Sequence, residues 1–337
     1  MNRNMYEWLE EVKAAKVKKA MPVLSFPAVQ MMDIRVKELI SDSDRQATGM
    51  KLVAERVDSS ASVSLMDLSV EAEAFGSQVS VSDDEVLTVV GRIVATVEDA
   101  DALKVPEVGE ARTGIYIEAI EKAVNMITDR PVFAGVIGPF SLAGRLMDVT
   151  EALMNCYVEP EMVHKTLDKV TQFLIAYIEA YKKAGADGVV MAEPLAGILS
   201  PDLADDFSSD YVKKIVDAVQ DEEFIVIYHN CGNNVLMLTD SILKTGSATY
   251  HFGNAVSMKE MLEKMPIDII LMGNVDPAGQ FRNGTPDSVR QETLQIMEEC
   301  CSYSNFVISS GCDIPPMSAW DNIDAFFEAV RDFYAVK

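Results

Sequence analysis

Histidine and cysteine side chains that could bind a metal ion occur at two places in the sequence. His229 and Cys231 lie in YHNCG, and Cys312 lies in SSGCDIP near the end of the chain. His229 and Cys231 are two residues apart at the end of an extended apolar run, where side chains at positions i and i+2 point to the same side. Both side chains can therefore reach one ion.

One imidazole and two thiolates form a donor set that suits zinc. Zinc binds these ligands tetrahedrally, and catalytic zinc sites usually have three protein ligands and leave one position for substrate. We therefore predict a zinc site formed by His229, Cys231 and Cys312, with Glu193 of MAEP as a weak, displaceable fourth ligand. The alternative is that His-x-Cys occurs by chance and that the cysteines are small buried hydrophobic side chains.

The elements that must position these residues are short apolar runs separated by amphipathic stretches of helical length. Near-continuous hydrophobicity in short runs is typical of parallel strands that are covered on both faces. The predicted strands are Val23–Phe26, Ser62–Leu68, Val132–Ile137, Gly188–Ala192, Phe224–Tyr228, Thr249–Phe252, Ile267–Met272 and Phe306–Ser309. The predicted helices include Pro160–Ala184, Pro201–Val219, Ser257–Lys264, Pro286–Cys301 and Met317–Tyr334.

This alternation predicts an α/β fold, a (β/α)₈ TIM barrel, with residues 1–337 in a single domain. Two segments depart from the pattern. Residues 1–20 predict an N-terminal helical extension, and residues 70–94 alternate in the manner of strands and predict a β-hairpin excursion after strand two.

Active sites of such barrels lie at the carboxyl ends of the strands, so polar residues that follow the apolar runs are candidates. Closure of the barrel is expected to bring the ends of strands five and eight to one rim, which unites the three metal-ligating side chains. Near other strand ends lie Asp67, His251, Asp276 and Asp313, of which the last three are predicted to bind substrate. For His251, a role in binding or proton transfer and a structural hydrogen bond remain open.

The composition excludes several classes of function. The 337 residues include 29 Lys+Arg and 53 Asp+Glu, and the net charge of -24 would repel nucleic acid. There is no apolar run of about 18 residues that could span a membrane and no secretory signal, so we expect a cytoplasmic protein that makes no membrane contact. Five cysteines in such a chain do not predict disulfides. Cys156, Cys300 and Cys301 are expected to serve in packing.

Several motifs resemble the uroporphyrinogen decarboxylase superfamily, and more narrowly its methylcobamide:coenzyme M methyltransferase branch. The motifs are PVFAGVIGPFSLAGRLM, EAEAFGSQV, MAEP, YHNCGN, MGNVDP and SSGCDIPP, and the resemblance runs from Met21 to the end. It implies a (β/α)₈ barrel whose zinc is held at the positions of His229, Cys231 and Cys312. It also implies an enzyme that moves a methyl group from a methylated corrinoid protein to a thiol, with coenzyme M as the first acceptor.

Other interpretations accompany this resemblance. The acceptor could be a different thiol or a pterin, and the corrinoid must come from a partner protein because the Asp-x-His-x-x-Gly motif of corrinoid modules is absent. Decarboxylases of the superfamily bind carboxylates through an arginine segment after strand one. Here LSFPAVQMMDIRVKELI offers only Arg35, in the following helix, so a tetrapyrrole lyase is the weaker alternative. A scaffold with a purely structural zinc is a third.

Coenzyme M carries a sulfonate, which requires a cation in the site. Arg112, Arg145, Arg282 and Lys104 are candidates, and their spacing does not distinguish them.

Overall fold

A computed structural model of the chain describes residues 3–80 and 82–335. At its centre is a parallel sheet of seven strands in the order β1-β4-β5-β6-β7-β8-β9. These strands are β1 Ser62–Val63, β4 Val132–Ile137, β5 Gly188–Ala192, β6 Ile225–Asn230, β7 Thr249–Phe252, β8 Leu271–Val275 and β9 Phe306–Ser310. Neighbouring strands follow one another along the chain and are joined by helical segments, as parallel pairing requires.

Helices surround the sheet and cover its outer side. They are α1 Met5–Ala14, α2 Ala28–Met32, α3 Val36–Leu39, α4 Ser43–Arg56, α5 Val70–Ala74, α6 Val97–Ala102, α7 Thr113–Met126, α8 Pro139–Met147, α9 Val149–Val158, α10 Pro160–Lys183, α11 Pro201–Ala204, α12 Asp210–Val219, α13 Thr239–Leu243, α14 Met258–Lys264, α15 Pro286–Cys300 and α16 Trp320–Ala335. Short 3₁₀ or π segments span Pro194–Ile198, Asp205–Ser209, Val235–Met237 and Pro277–Arg282. In the described ranges, no helix is both long and apolar enough to span a bilayer.

Three predicted strands, Val132–Ile137, Gly188–Ala192 and Thr249–Phe252, have the predicted bounds. Others are displaced along the chain. The fifth predicted strand is β6, which extends to Asn230 and therefore includes His229. The seventh, predicted at Ile267–Met272, is β8 and begins only at Leu271.

The predicted first strand, Val23–Phe26, is not a regular strand. Pro22 and Pro27 flank it and have no N–H to donate. The N–H of Val23 donates to the hydroxyl of Ser310 (3.1 Å), so it does not contribute to a ladder of carbonyl acceptors. The prediction of a strand here is wrong for this reason.

This extended segment nevertheless lies between the two edge strands of the sheet. The N–H of Met21 donates to the carbonyl of Ile308 in β9 (3.0 Å). The hydroxyl of Ser25 donates to the carbonyl of Val63 in β1 (2.5 Å). The sheet therefore curls until its edges approach each other across the segment, which occupies the position expected for an eighth strand.

The excursion after β1 begins with a helix and not with a strand. Val70–Ala74 forms α5, because Val, Glu and Ala placed at alternate positions also satisfy a helical turn, and Ala and Glu favour helix. In the described part of the predicted 70–94 range, β2 (Gln78–Ser80) and β3 (Thr88–Val90) pair as an antiparallel hairpin.

The N-terminal helix α1 covers one end of the curled sheet. Its buried residues Met5, Trp8 and Leu9 belong to the same apolar cluster as side chains of the strands. The ring of Trp8 lies 5.8 Å from that of Phe133 in β4, measured between centroids. Because Phe133 is near the beginning of its strand, α1 closes the amino end of the sheet and leaves the carboxyl end for a site.

Candidate metal centre

The alternation of side chains along β6 directs His229 into the interior of the curled sheet. Ile225 and Ile227 belong to the inner apolar cluster, whereas Val226 and Tyr228 pack with the outer one. A period of two places His229 next on the inner side, and its side chain is 1% exposed. Cys231 occupies the following position of the same series.

Cys312 reaches these residues from the loop after β9. One ligand atom each of His229, Cys231 and Cys312 lies within 4.8 Å of the other two. The loop is fixed at both sides of Cys312, because the N–H of Gly311 donates to the carbonyl of Val275 (2.7 Å) and that of Ile314 to the carbonyl of Val23 (3.0 Å). The structure thus brings together the three predicted ligands from two segments that are remote in sequence.

The turn that carries Cys231 is held by its neighbours. The side-chain oxygen of Asn230 accepts from the N–H of Gly232 (2.9 Å), while its amide group donates to the hydroxyl of Tyr228 (3.0 Å). Gly253, after β7, packs directly against Cys231. A Cβ atom on Gly253 would lie 2.3 Å from the Cβ of Cys231, so a residue without a side chain is required there.

The thiol groups of Cys231 and Cys312 lie close together, and their pKa values are coupled. The hydrogen bond between them lowers the pKa of Cys231. The same hydrogen bond, together with burial, raises the pKa of Cys312. Cys231 therefore ionises first and Cys312 retains the proton, which a bound divalent cation would replace.

The imidazole of His229 has one engaged and one free nitrogen. Its Nδ1 lies 2.7 Å from Nδ1 of His251, and its Nε2 is buried without a hydrogen-bond partner among the described residues. An orphaned nitrogen next to two thiols fits a metal ligand. The composition of the donor set, His-Cys-Cys, fits zinc.

Glu193 lies elsewhere than the sequence predicted. Its carboxylate accepts from the N–H groups of Phe140 (3.1 Å) and Ser141 (2.7 Å) and from the hydroxyl of Ser141 (2.8 Å). It thereby caps the beginning of α8 and is fully buried, which raises its pKa to about 7. Among the described side chains, the group that could hold a metal ion contains His229, Cys231 and Cys312 and does not include Glu193. The geometry gives a fourth-ligand role no support.

Two of the three predicted substrate-binding residues point to other partners. His251 is buried behind His229 and is 1% exposed, so its ring does not face an open site. Asp276 caps the π-helical segment Pro277–Arg282, because its carboxylate accepts from the N–H groups of Ala278 and Gly279 at 2.9 Å each. Both side chains have structural hydrogen bonds, and their contact with substrate stays a prediction.

Asp313, the third, follows Cys312 directly in the chain. One carboxyl oxygen accepts from the N–H of Met66 (3.1 Å), and the other is buried and accepts no hydrogen bond from the part of the chain that the structure describes. Burial, followed by the neighbouring Cys312, raises its pKa well above the usual range. Asp313 therefore remains a candidate for contact with substrate.

The cations proposed for a sulfonate differ in their surroundings. Arg112 pairs with Asp67 and Glu73, and the hydroxyl of Tyr116 also donates to Asp67 (2.9 Å), so Arg112 secures the loop after β1. Local spacing gives no signal of this network, since its members lie up to 49 residues apart.

The three other cations lie outside that network. Arg282 donates to a carbonyl, that of Met317 (3.1 Å), and Lys104 is exposed. Arg145, on α8, is half-buried, and its burial lowers its pKa. Arg145 is thus partly removed from water, as Arg112 is, but it does not pair with Asp67 or Glu73.

The sequence is similar to one family model and to individual proteins of two activities, methyl transfer and decarboxylation. A sequence model of the uroporphyrinogen decarboxylase (URO-D) family matches residues 15–333. The methylcobamide:CoM methyltransferase MtbA of Methanosarcina acetivorans is 28% identical over 273 residues, which cover 79% of this chain and 78% of MtbA. A uroporphyrinogen decarboxylase of Coxiella burnetii is 27% identical over 252 residues, which cover 71% of this chain and 68% of that protein.

A solved structure has the same fold over the whole chain. A methyltransferase from Methanosarcina mazei superposes with a TM-score of 0.85 at 23% identity, covering 99% of this chain and 100% of that one. The fold likeness agrees with the family match, which spans nearly the entire sequence. The chain therefore belongs to the uroporphyrinogen decarboxylase (URO-D) family of enzymes.

Proposed function

We propose that this protein is a zinc-dependent methyltransferase that moves a methyl group from a methylated corrinoid protein to a thiol, with coenzyme M as the first acceptor to test. The proximity of His229, Cys231 and Cys312, within 4.8 Å, carries the proposal. Sequence identity does not choose between activities, since MtbA and the decarboxylase match at 28% and 27%. The donor set favours methyl transfer to a thiol, because it fits a metal that binds thiols.

Zinc bound at this centre would take the substrate thiol at its fourth position and lower the thiol pKa, so that the sulfur is held as a thiolate nucleophile at neutral pH. The protein ligands would set the net charge of the metal centre. Two cysteine thiolates and one neutral imidazole balance a dication, so the sulfur of the substrate retains its negative charge and its nucleophilicity. Attack of that sulfur on the methyl carbon forms the S–C bond and breaks the Co–C bond, and the electron pair of that bond stays on the cobalt of the partner.

The candidate metal centre is accessible from the side on which its two cysteines lie. His229 is buried, whereas Cys231 and Cys312 are both partly exposed. Exposed apolar side chains also lie in the loops that follow β5, β6 and β9, namely Ile198, Met237 and Met317. These loops follow the carboxyl ends of the strands, where we propose that the corrinoid protein docks.

We propose that residues 1–337 form one (β/α)₈ barrel domain in which Val23–Phe26 replaces the first strand. A different thiol or a pterin remains an alternative acceptor, and the assay can compare them directly with coenzyme M.

The test measures bound zinc and then the thiol-dependent loss of methylcobalamin with coenzyme M as acceptor. We expect about one zinc per chain. Cys231→Ala and Cys312→Ala should each lose that zinc and reduce methyl transfer to the background rate, because two remaining ligands cannot hold the metal. Cys156→Ser is the matched control, since Cys156 is buried in α9 and its sulfur donates to the carbonyl of Ala152 (3.3 Å).

Each alternative has its own signature in this experiment. Full zinc and full activity in both ligand variants would mean that the proposed site is wrong. Formation of coproporphyrinogen from uroporphyrinogen without added metal would favour the decarboxylase activity. A cobalt-substituted protein whose visible spectrum does not change on addition of coenzyme M would favour a structural metal.

A further inference from the structure

A chain of hydrogen bonds extends from Nδ1 of His229 to the extended segment that closes the sheet. Nδ1 of His229 lies 2.7 Å from Nδ1 of His251, and Nε2 of His251 lies 2.7 Å from the hydroxyl of Ser309. That hydroxyl in turn donates to the carbonyl of Met21 (2.7 Å). His229, His251 and Ser309 are all at most 1% exposed.

The carbonyl of Met21, at the outer end of the chain of hydrogen bonds, fixes the direction of each of them. The carbonyl of Met21 only accepts, so the hydroxyl of Ser309 donates its proton there and is left as an acceptor. Nε2 of His251 must therefore carry a proton and donate to Ser309. A second proton on His251 would place an unpaired charge in the interior, next to a hydroxyl and an imidazole, which is strongly unfavourable.

His251 with its proton on Nε2 has a bare Nδ1, which can only accept. The hydrogen bond between the two rings is then donated by Nδ1 of His229, and Nε2 of His229 has no proton. That bare nitrogen is the one without a hydrogen-bond partner among the described residues, and its residue, His229, belongs to the group that could hold a metal ion.

We propose that His251 and Ser309 are positioning residues that hold His229 in the Nδ1–H form and direct the lone pair of its Nε2 at the metal. The inference rests on the proposed zinc site. An imidazole without such partners divides between two tautomers, and the Nε2–H form cannot bind a metal through that nitrogen. The carbonyl of His251, 3.3 Å from Nδ1 of His229, is a second and longer acceptor, so loss of the ring should weaken the restraint without abolishing it.

The experiment combines tautomer assignment with zinc affinity. In metal-free wild-type protein, ¹⁵N NMR should show His229 as the Nδ1–H tautomer. Competition with a chelator should show that His251→Phe weakens zinc binding about 10–100-fold, as loss of outer hydrogen-bond partners does at other metal sites. His251→Asn should recover most of this loss, because its side-chain oxygen can accept from Nδ1 of His229. Ser309→Ala should give a mixture of tautomers at His229 and a smaller loss of affinity.

Ser310→Ala is the matched control. Ser310 is also a buried residue of β9, but its hydroxyl accepts from the N–H of Val23 and takes no part in this chain of hydrogen bonds, and its backbone, which contacts His251, is unchanged by the substitution. Its substitution should leave zinc affinity and the tautomer of His229 unchanged. Equal weakening of zinc binding in Ser310→Ala and Ser309→Ala would assign the effect to packing of β9 and overturn the inference.

The outcomes separate this inference from the proposed function. Wild-type zinc affinity in both His251→Phe and Ser309→Ala overturns the positioning role even if the enzyme methylates coenzyme M. An Nε2–H tautomer at His229 in the metal-free wild type overturns it as well. Failure of the wild type to bind zinc overturns the proposed function, while the NMR assignment still decides which tautomer the hydrogen bonds impose and needs no variant that might misfold.

Discussion

At the scale of single residues, Glu71 is a carboxyl group that the fold separates from water. It is 2% exposed, and one oxygen accepts from the N–H of Ile137 (3.1 Å). The other oxygen is buried and has no hydrogen-bond partner in residues 3–80 and 82–335. Burial raises the pKa of Glu71 to about 7, because its effect exceeds the opposing effect of the hydrogen bond from Ile137. The charged form is therefore disfavoured in the folded state.

This shift gives a pH-dependent stability with a definite sign. The unfolded chain loses the proton of a glutamate near pH ~4.3, well before the folded state does. The contribution of protonated Glu71 to the free energy of unfolding is therefore fully present below that pH and is lost as pH rises through about 7. Glu71→Gln retains an oxygen for the N–H of Ile137 and removes the ionisation. We expect its free energy of unfolding, relative to wild type, to rise by about 2 kcal/mol between pH 5 and pH 8 in urea titrations. Parallel curves for the two proteins would contradict the shifted pKa.

The three side chains of the candidate metal centre could be predicted from the sequence to lie together, whereas their surroundings could not. His229, Cys231 and Cys312 combine distinctive residue types with strand ends, and the i, i+2 spacing already implies a shared direction. The role of His251 depends on which strands lie beside β6 and on the direction of each hydrogen bond. Neither is encoded in local spacing, so a ring that faces His229 was predicted to contact substrate.

At the scale of elements, α8 depends on a carboxylate from a neighbouring strand end. Glu193→Ala would leave the N–H groups of Phe140 and Ser141 and the hydroxyl of Ser141 without their acceptor, in a fully buried place. We expect a loss of about 3 kcal/mol in the free energy of unfolding, from the unpaired donors and the space left behind. Zinc content and zinc affinity should not change, since the carboxylate belongs to the helix and not to the metal-ligating group.

The control for this variant is a cap at an unrelated helix. Asp42 precedes α4 and accepts from a single N–H, that of Arg45 (3.0 Å), so Asp42→Ala should cost about 1 kcal/mol. Guanidinium unfolding curves compare the two variants, and zinc analysis is done on the same samples. Loss of zinc from Glu193→Ala alone would restore Glu193 as a ligand.

Element boundaries were predicted where local and tertiary preferences agree. β5 and β7 are apolar runs paired on both sides, and their bounds are as predicted. Ile267 resembles the start of a strand but is 64% exposed, because the carbonyl of Pro266 accepts from the N–H of Ile269 in a turn that delays β8. The segment Val70–Ala74 fits both periods, and its helix propensity prevails once it is packed against other helices.

At the scale of the whole molecule, the curled sheet has one weak side. β4, β5 and β6 form continuous parallel ladders, whereas β1 contains two residues and the segment beside it is held by isolated hydrogen bonds. Local opening should therefore begin at the junction of β9, the segment Val23–Phe26 and β1. In native-state hydrogen exchange, we expect the N–H of Met21 to exchange faster than that of Ile227, which lies within a buried central strand.

Because the carbonyl of Met21 accepts from Ser309, opening of this junction also disrupts the hydrogen bonds that position His229. A ligand that binds only the closed form stabilises it by an amount that grows with the logarithm of the ratio of its concentration to its dissociation constant, so zinc at about 100 times its dissociation constant should slow exchange at Met21 by up to ~100-fold. Ser309→Ala should reduce this effect of zinc, since it breaks the connection between the junction and His229. If zinc slows exchange at Ile227 and at Met21 by the same factor, the junction opens only with global unfolding, and the sheet behaves as one closed unit.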